Sequence, residues 1–240
     1  MKKKLVRVTT VPISLKVLLK GQLEFMNRYF DVIAVSSPDK ELKEIEYEEG
    51  VKIFPIKMSR KITPLQDFIS VIKMFIFLLR QRPLIVHTHT PKAGIVGMLA
   101  SFLAGVPHRL HTVAGLPLME SKGIKRIILI FVERLTYFCA TKVYPNSQGL
   151  KKYIEENIFH DVNKLKVIGY GSSNGIDTDY FKKDVHMVLL GKEIRSRYNF
   201  ADKFVYLFIG RLVRDKGINE LIMAFDSLSK EFDHVRLLLR

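Results

Sequence analysis

At 240 residues, 48% of them hydrophobic, the chain can form one large domain or two small ones around a sizeable core. Its one cysteine, Cys139, excludes an internal disulfide framework, suits a reducing compartment and reads as a small buried hydrophobe. The net charge of +15 implies attraction to anionic lipid or phosphorylated substrates, and without a zinc-finger, RRM or KH signature nucleic acid is the weaker choice.

MKKKLVRVTT opens the chain, and no long apolar region follows it, so Leu5–Thr10 reads as a first strand rather than a leader. A helix is expected from Ser14, a plausible N-cap, to Tyr29, with Gly21 weakening its middle. Phe30–Ser36 is a second strand, acidic Glu41–Gly50 a solvated helix and turn, and Val51–Ile56 a third strand. Thr63-Pro64 starts a helix to Arg80. Ten of the twelve residues from Phe68 to Leu79 are apolar, so this helix is expected to be buried, with partial contact with lipid as the alternative. Leu84–His87, Arg109–Val113, Lys142–Asn146 and Leu165–Ile168 read as strands, separated by helices at Ile95–Ala104, Lys122–Ala140 and Gln148–Glu156. The helix from Lys122 is basic and amphipathic, a pattern suited to covering a sheet or to lying on anionic lipid. No apolar run approaches the ~20 residues of a membrane span, so the expected location is cytoplasmic, with peripheral attachment to the inner face of the membrane as a further expectation.

Strands and helices alternate throughout, which predicts an α/β fold with a parallel sheet and helices on both faces. Ligands of such sheets bind beyond the carboxyl ends of the strands. One of those ends carries HTHTPKAG, His87 to Gly94. The alternation breaks at the Gly- and Ser-rich stretch 169–178, which separates a first domain (1–168) from a second (179–240).

The most informative stretch is FVYLFIGRLVRDKGINELIMAF, Phe204 to Phe225. It reads as strand, cationic turn and helix. Gly210 ends the strand, and Arg211, Arg214 and Lys216 surround the single acid Asp215. Gly217 opens a helix with apolar residues at Ile218, Leu221, Ile222 and Phe225. A helix N-terminus, an Arg fork and a mobile Lys together suit a diphosphate, while a basic surface connection fits the same residues.

GRLVRDKGINELIMAF resembles the donor-site motif of family 4 glycosyltransferases, a retaining group with the two-domain GT-B fold. The resemblance implies that Arg211 and Lys216 hold the pyrophosphate of a nucleotide sugar and that Gly210 lets the backbone approach it. Upstream, Asn174, Gly175, Ile176, Asp177 and Phe181 resemble the family's hinge between an acceptor domain and a donor domain. HTHTPKAG is similar to a loop facing the cleft in polysaccharide-type members, which makes His89 and Lys92 candidates there. Members carry a His near the transferred sugar where this chain has Ala114, so either His111 takes its place, as the catalytic candidate, or no His is used. Ser14 and Lys16, in the first loop, would lie near the acceptor.

The implied activity is transfer of a hexose or N-acetylhexosamine from a nucleotide sugar to a polyprenyl-linked or saccharide acceptor in surface-polysaccharide assembly. No metal or other cofactor is expected, because no D-x-D pair follows a strand. The second domain looks incomplete, lacking the family's E-x7-E motif, so impaired activity is a further expectation. Two alternatives stand beside this reading: an inactive remnant binding membrane or glycolipid, and a nucleotide-sugar epimerase of the same architecture.

Overall fold

The computed structural model describes residues 2–172 and 175–240. It divides into two compact units, Met1–Gly175 and Ile176–Arg240.

The first unit holds six strands: β1 (Lys4–Val8), β2 (Asp31–Ser36), β3 (Lys52–Pro55), β4 (Ile85–Thr88), β5 (His108–Val113) and β6 (Lys142–Pro145). They form one sheet in the order β3-β2-β1-β4-β5-β6. Every pair is parallel, and Val6 on β1 sits between Ile33 on β2 and Val86 on β4. The connections are helical: α1 (Pro12–Leu18), α2 (Gln22–Asn27), α3 (Lys40–Glu49), α4 (Pro64–Gln81), α5 (Pro91–Leu103) and α6 (Gly123–Cys139), followed by α7 (Gln148–Asn157). Side chains alternate along a strand, so β1 feeds two cores. Leu5 packs with Val32, Leu15, Leu23 and Ile45 under α1–α3. Val6 and Val8 pack with Met74, Val96, Met98 and Tyr137 under α4–α6. Strand order reverses between β1 and β4, which creates the topological switch point at which such sheets bind ligands.

Several local expectations are corrected. The helix expected over 14–29 is broken in two at Gly21, which adopts a left-handed φ of 72°. Glu49 supports the break, accepting hydrogen bonds from the Gly21 and Glu24 amides at 2.7 and 3.0 Å. Ser14 is not a cap: α1 starts at Pro12, with Val11 as N-cap, and Ser14 is buried in the first turn. The α4 helix is not enclosed. It turns Leu65, Phe68, Ile72 and Ile76 to solvent. Residues 165–168 form no regular strand and meet the sheet through one bridge, Leu165 to Val143.

The second unit contains α8 (Val185–Arg197), β7 (Phe204–Phe208), α9 (Ile218–Glu231) and β8 (Val235–Leu239). β7 and β8 pair in parallel, Phe204 against Val235, across the α9 connection. The α8 helix was not legible in the sequence. It is capped by Asp184, whose side chain accepts from the Met187 amide at 2.8 Å, and buries no residue.

Candidate functional site

At the switch point of the first unit, the ends of β1 and β4 are tied together by two threonines. The Thr10 and Thr90 hydroxyls lie 2.6 Å apart, and the Thr10 amide donates to Thr90 Oγ1 at 3.0 Å. Thr10 Oγ1 in turn accepts from the Ala93 amide at 3.3 Å. Thr90 is the N-cap of α5 but does not cap it with its side chain; Thr10, 83 positions before Ala93, satisfies the Ala93 amide instead.

Beside this tie lies a cluster of nitrogen bases on the α1–α3 face of the sheet. Arg7, in the middle of β1, is fully buried. Among the described residues it has no carboxylate partner, and it donates to Gln22 Oε1 and toward Met26 Sδ, each at 3.1 Å. Burial pushes its pKa down to about 10. The His87 and His89 rings stack with centroids 4.1 Å apart, and His87 Nε2 pairs with Thr112 Oγ1 at 2.8 Å. Desolvation, and then the neighbouring positive charges, hold both imidazoles well below the usual histidine range, so they are neutral at pH 7. His89 is 6% exposed and its Nε2 has no hydrogen-bond partner among the described residues. A buried polar nitrogen left in that state is a hydrogen-bonding group still available to a ligand. Sequence reading missed Arg7, Thr10 and Thr90. The available signal was a cation at the centre of an otherwise apolar strand, where neither face reaches water.

The remaining first-unit candidates sit elsewhere. His111 faces the opposite core, 2% exposed, with Nδ1 2.7 Å from Thr88 Oγ1 and its ring directly beneath Gly94. Burial pushes its pKa down to about 4. In this position it packs as a neutral core residue and reaches no solvent. Nearby on α6, Glu133 is buried one turn before Tyr137, and burial pushes its carboxyl up to about 7. Lys92 is ion-paired with Asp67, which ties the start of α5 to the start of α4. Lys16 forms ion pairs with Glu44 at 2.8 Å and Glu48 at 3.7 Å, so the acidic helix neutralises it. Ser14 contributes its amide to the first turn of α1, donating to the Val11 carbonyl at 3.0 Å.

In the second unit, β7 runs into Gly210, whose amide donates to the Arg240 carbonyl at 2.8 Å. A 3-10 turn spans Arg214–Lys216 and ends at Gly217, which takes φ 70° and serves as N-cap of α9. Arg211 lies before that turn and Lys216 is its last residue; both are exposed and precede the helix N-terminus. Asp177 organises the stretch before α8, accepting from the Asp179 and Tyr180 amides at 3.1 and 2.9 Å. Gly175 is exposed, and Asn174 lies outside the described residues. Among the described residues, no group of three or more His, Cys, Asp or Glu is placed to hold a metal ion.

The chain has relatives among known proteins. It is 38% identical over 226 residues to the capsular polysaccharide biosynthesis glycosyltransferase CapM of Staphylococcus aureus, covering 92% of this chain and 57% of that protein. It is 29% identical over 198 residues to the UDP-Gal:alpha-D-GlcNAc-diphosphoundecaprenol alpha-1,3-galactosyltransferase of Escherichia coli, covering 80% of this chain and 48% of that one. The chain thus spans about half the length of the curated relatives it matches. Among solved structures, Anabaena HepE in complex with UDP and glucose superposes with a TM-score of 0.69 at 19% identity, over 99% of this chain and 60% of that one. A UDP-N-acetylglucosamine 2-epimerase from Rickettsia bellii superposes with a TM-score of 0.62 at 13% identity, over 100% and 62%. These structural likenesses establish the fold. The sequence profile of the glycosyl transferase 4-like domain matches residues 24–171, more than half of the chain, and the chain belongs to that family.

Proposed function

We propose that the chain is a retaining glycosyltransferase of surface-polysaccharide assembly, moving a hexose or N-acetylhexosamine from a nucleotide sugar to a lipid-linked or saccharide acceptor. The observation that carries this reading is the exposed cationic turn between β7 and α9, with Arg211 and Lys216 ahead of a helix N-terminus. The names of the CapM and galactosyltransferase relatives, and the UDP bound in the HepE structure, support it.

Departure of a nucleoside diphosphate builds negative charge on the leaving oxygen. Arg211 offers a planar fork of donors and Lys216 a mobile ammonium, and the positive end of α9 adds to both. Protein cations then supply the neutralisation that a divalent ion provides in other transferases. On the acceptor side, the neutral His89 has a nitrogen to spend on a hydroxyl. Lipid-linked acceptors would hold the protein at the inner face of the membrane.

The reading is tested by titrating the protein with a panel of nucleotide sugars. One donor is expected to bind, and Arg211→Ala or Lys216→Ala is expected to weaken it about tenfold or more, the value of a charge-assisted contact. Chelator should leave affinity unchanged. Binding that survives both substitutions would reject the donor site. Release of an epimerised nucleotide sugar, rather than transfer to an acceptor, would assign the chain to the epimerases.

A further inference from the structure

The outer surface of the first unit is apolar where a soluble domain is normally polar. On α4, Leu65 and Phe68 are 84% and 65% exposed, and Ile72 and Ile76 follow on the same helical face. On α6, Ile127 and Phe131 are 67% and 65% exposed, again one turn apart. α5 lies between these helices and buries seven of its thirteen residues. Its half-buried Ile95 and Leu99 fill the gap between the two exposed ridges. Soluble monomers rarely expose contiguous apolar surface on this scale without using it.

The charge around this surface has one sign. From Lys57 to Phe138 the chain carries twelve Lys and Arg against three acids, Asp67, Glu120 and Glu133. Asp67 is consumed by Lys92, and Glu133 is buried. The exposed cations Arg60, Lys61 and Lys73 accompany the α4 ridge, and Lys122 and Lys125 the α6 ridge. Apolar side chains edged by cations are complementary to a bilayer with anionic headgroups. A second copy of the chain is the poorer partner, because a two-fold contact would press the same cations against one another.

We infer that the α4–α6 layer is a docking surface for an anionic lipid bilayer, gripped by two apolar ridges. In a parallel sheet each helix begins where its preceding strand ends. The starts of α4 and α6 therefore lie at the same end of the sheet as the Thr10–Thr90 switch point. Leu65, Phe68, Lys122 and Ile127 are the lipid contacts nearest to that end. The inference rests on the proposed function only for its biological sense, which is that a lipid-linked acceptor would emerge beside the residues that receive it.

Vesicle co-sedimentation tests it without nucleotide sugar or acceptor, so a failed transfer assay and a failed docking result remain distinguishable. The protein is expected to sediment with mixed phosphatidylcholine–phosphatidylglycerol vesicles and only weakly with phosphatidylcholine alone. Salt should reduce the binding without abolishing it, since the apolar contribution is unscreened. Phe68→Gln with Ile72→Gln, and separately Ile127→Gln with Phe131→Gln, should each lower the partition about tenfold while thermal melting is retained. Lys122→Glu with Lys125→Glu should lower it at low salt only. Wild-type protein that stays in the supernatant, or apolar variants that bind as well as wild type, would overturn the inference. So would a wild-type dimer that these variants convert to monomer with vesicle binding unchanged.

Discussion

The two units use the same strand–helix–strand repeat and hold their key residues by different means. In the first, β1 has a strand on each side, and four of its five residues are fully buried. In the second, β7 has β8 as its partner, and three of its five residues are exposed. Val235 is the one fully buried residue among the described residues of that unit. The switch-point groups of the first unit are thus fixed by long-range packing. The cationic turn of the second is fixed by short-range bonds, Lys216 to the Val213 carbonyl at 3.0 Å and Gly217 to that of Arg214 at 3.1 Å. Burial makes a site stiff, and local bonding leaves it adaptable.

The sharpest way to break this contrast is to remove side chains from each side. Leu23→Ala, in the first core, should cost about 2–5 kcal/mol in denaturant unfolding. Phe204→Ala, on a residue 58% exposed, should cost less than about 1 kcal/mol. Equal costs would mean that the second unit hides a core of its own. Amide exchange offers an independent reading, with β1 and β4 protected to the global limit and β7 exchanging orders of magnitude sooner.

The next effect concerns pH. Glu133 titrates near 7 in the folded state and at 4.5 in the unfolded chain. Between those values the folded protein holds a proton that the unfolded chain has lost, so this residue's contribution to stability falls as pH rises and is lowest above 7. Glu133→Gln should therefore stabilise the protein by about 3 kcal/mol at pH 8 and change little at pH 4. His111 works in the opposite direction: its folded pKa near 4 lies below the ordinary 6.5, and its stabilising contribution is lost as pH falls through that window. Melting temperatures of the wild type and both single variants, His111→Asn and Glu133→Gln, across pH 4–8 would separate the two slopes.

A smaller effect is expected at Gly217, where φ is 70°. Gly217→Ala should cost about 1 kcal/mol locally, because a side chain is disfavoured in this left-handed conformation, and should weaken nucleotide-sugar binding by disturbing the turn that carries Lys216. The smallest belongs to Lys16→Ala, which breaks an exposed pair and should leave the melting temperature unchanged.

The parallel sheet, its order of elements and the loops at the strand ends were legible because alternating apolar runs and short connections admit few other arrangements. The cationic turn was legible for a similar reason, since a glycine-bounded cluster of charge stands out locally. What escaped was set by distance along the chain. Nothing near Lys92 announces Asp67, and nothing near Thr10 announces the helix that it satisfies. Composition also misled on α4. An apolar helix suggests burial, yet hydrophobicity does not say whether a partner exists to cover every side. α8 was missed because its apolar residues do not gather on one helical face, leaving no stripe for the sequence to display.

Gly94 and Gly97 let α5 lie very close to the sheet. A methyl group at Gly94 would meet His111 Cε1 at 2.6 Å, and one at Gly97 would meet Thr88 Cγ2 at 2.5 Å. The relief of the outer surface follows from that depth. With the middle helix sunk, its neighbours stand proud as two rails with a shallow trough between them. One carbon atom added on the hidden side of α5 would raise the floor of that trough, so two glycines with no solvent contact govern the contour that the domain offers to the outside.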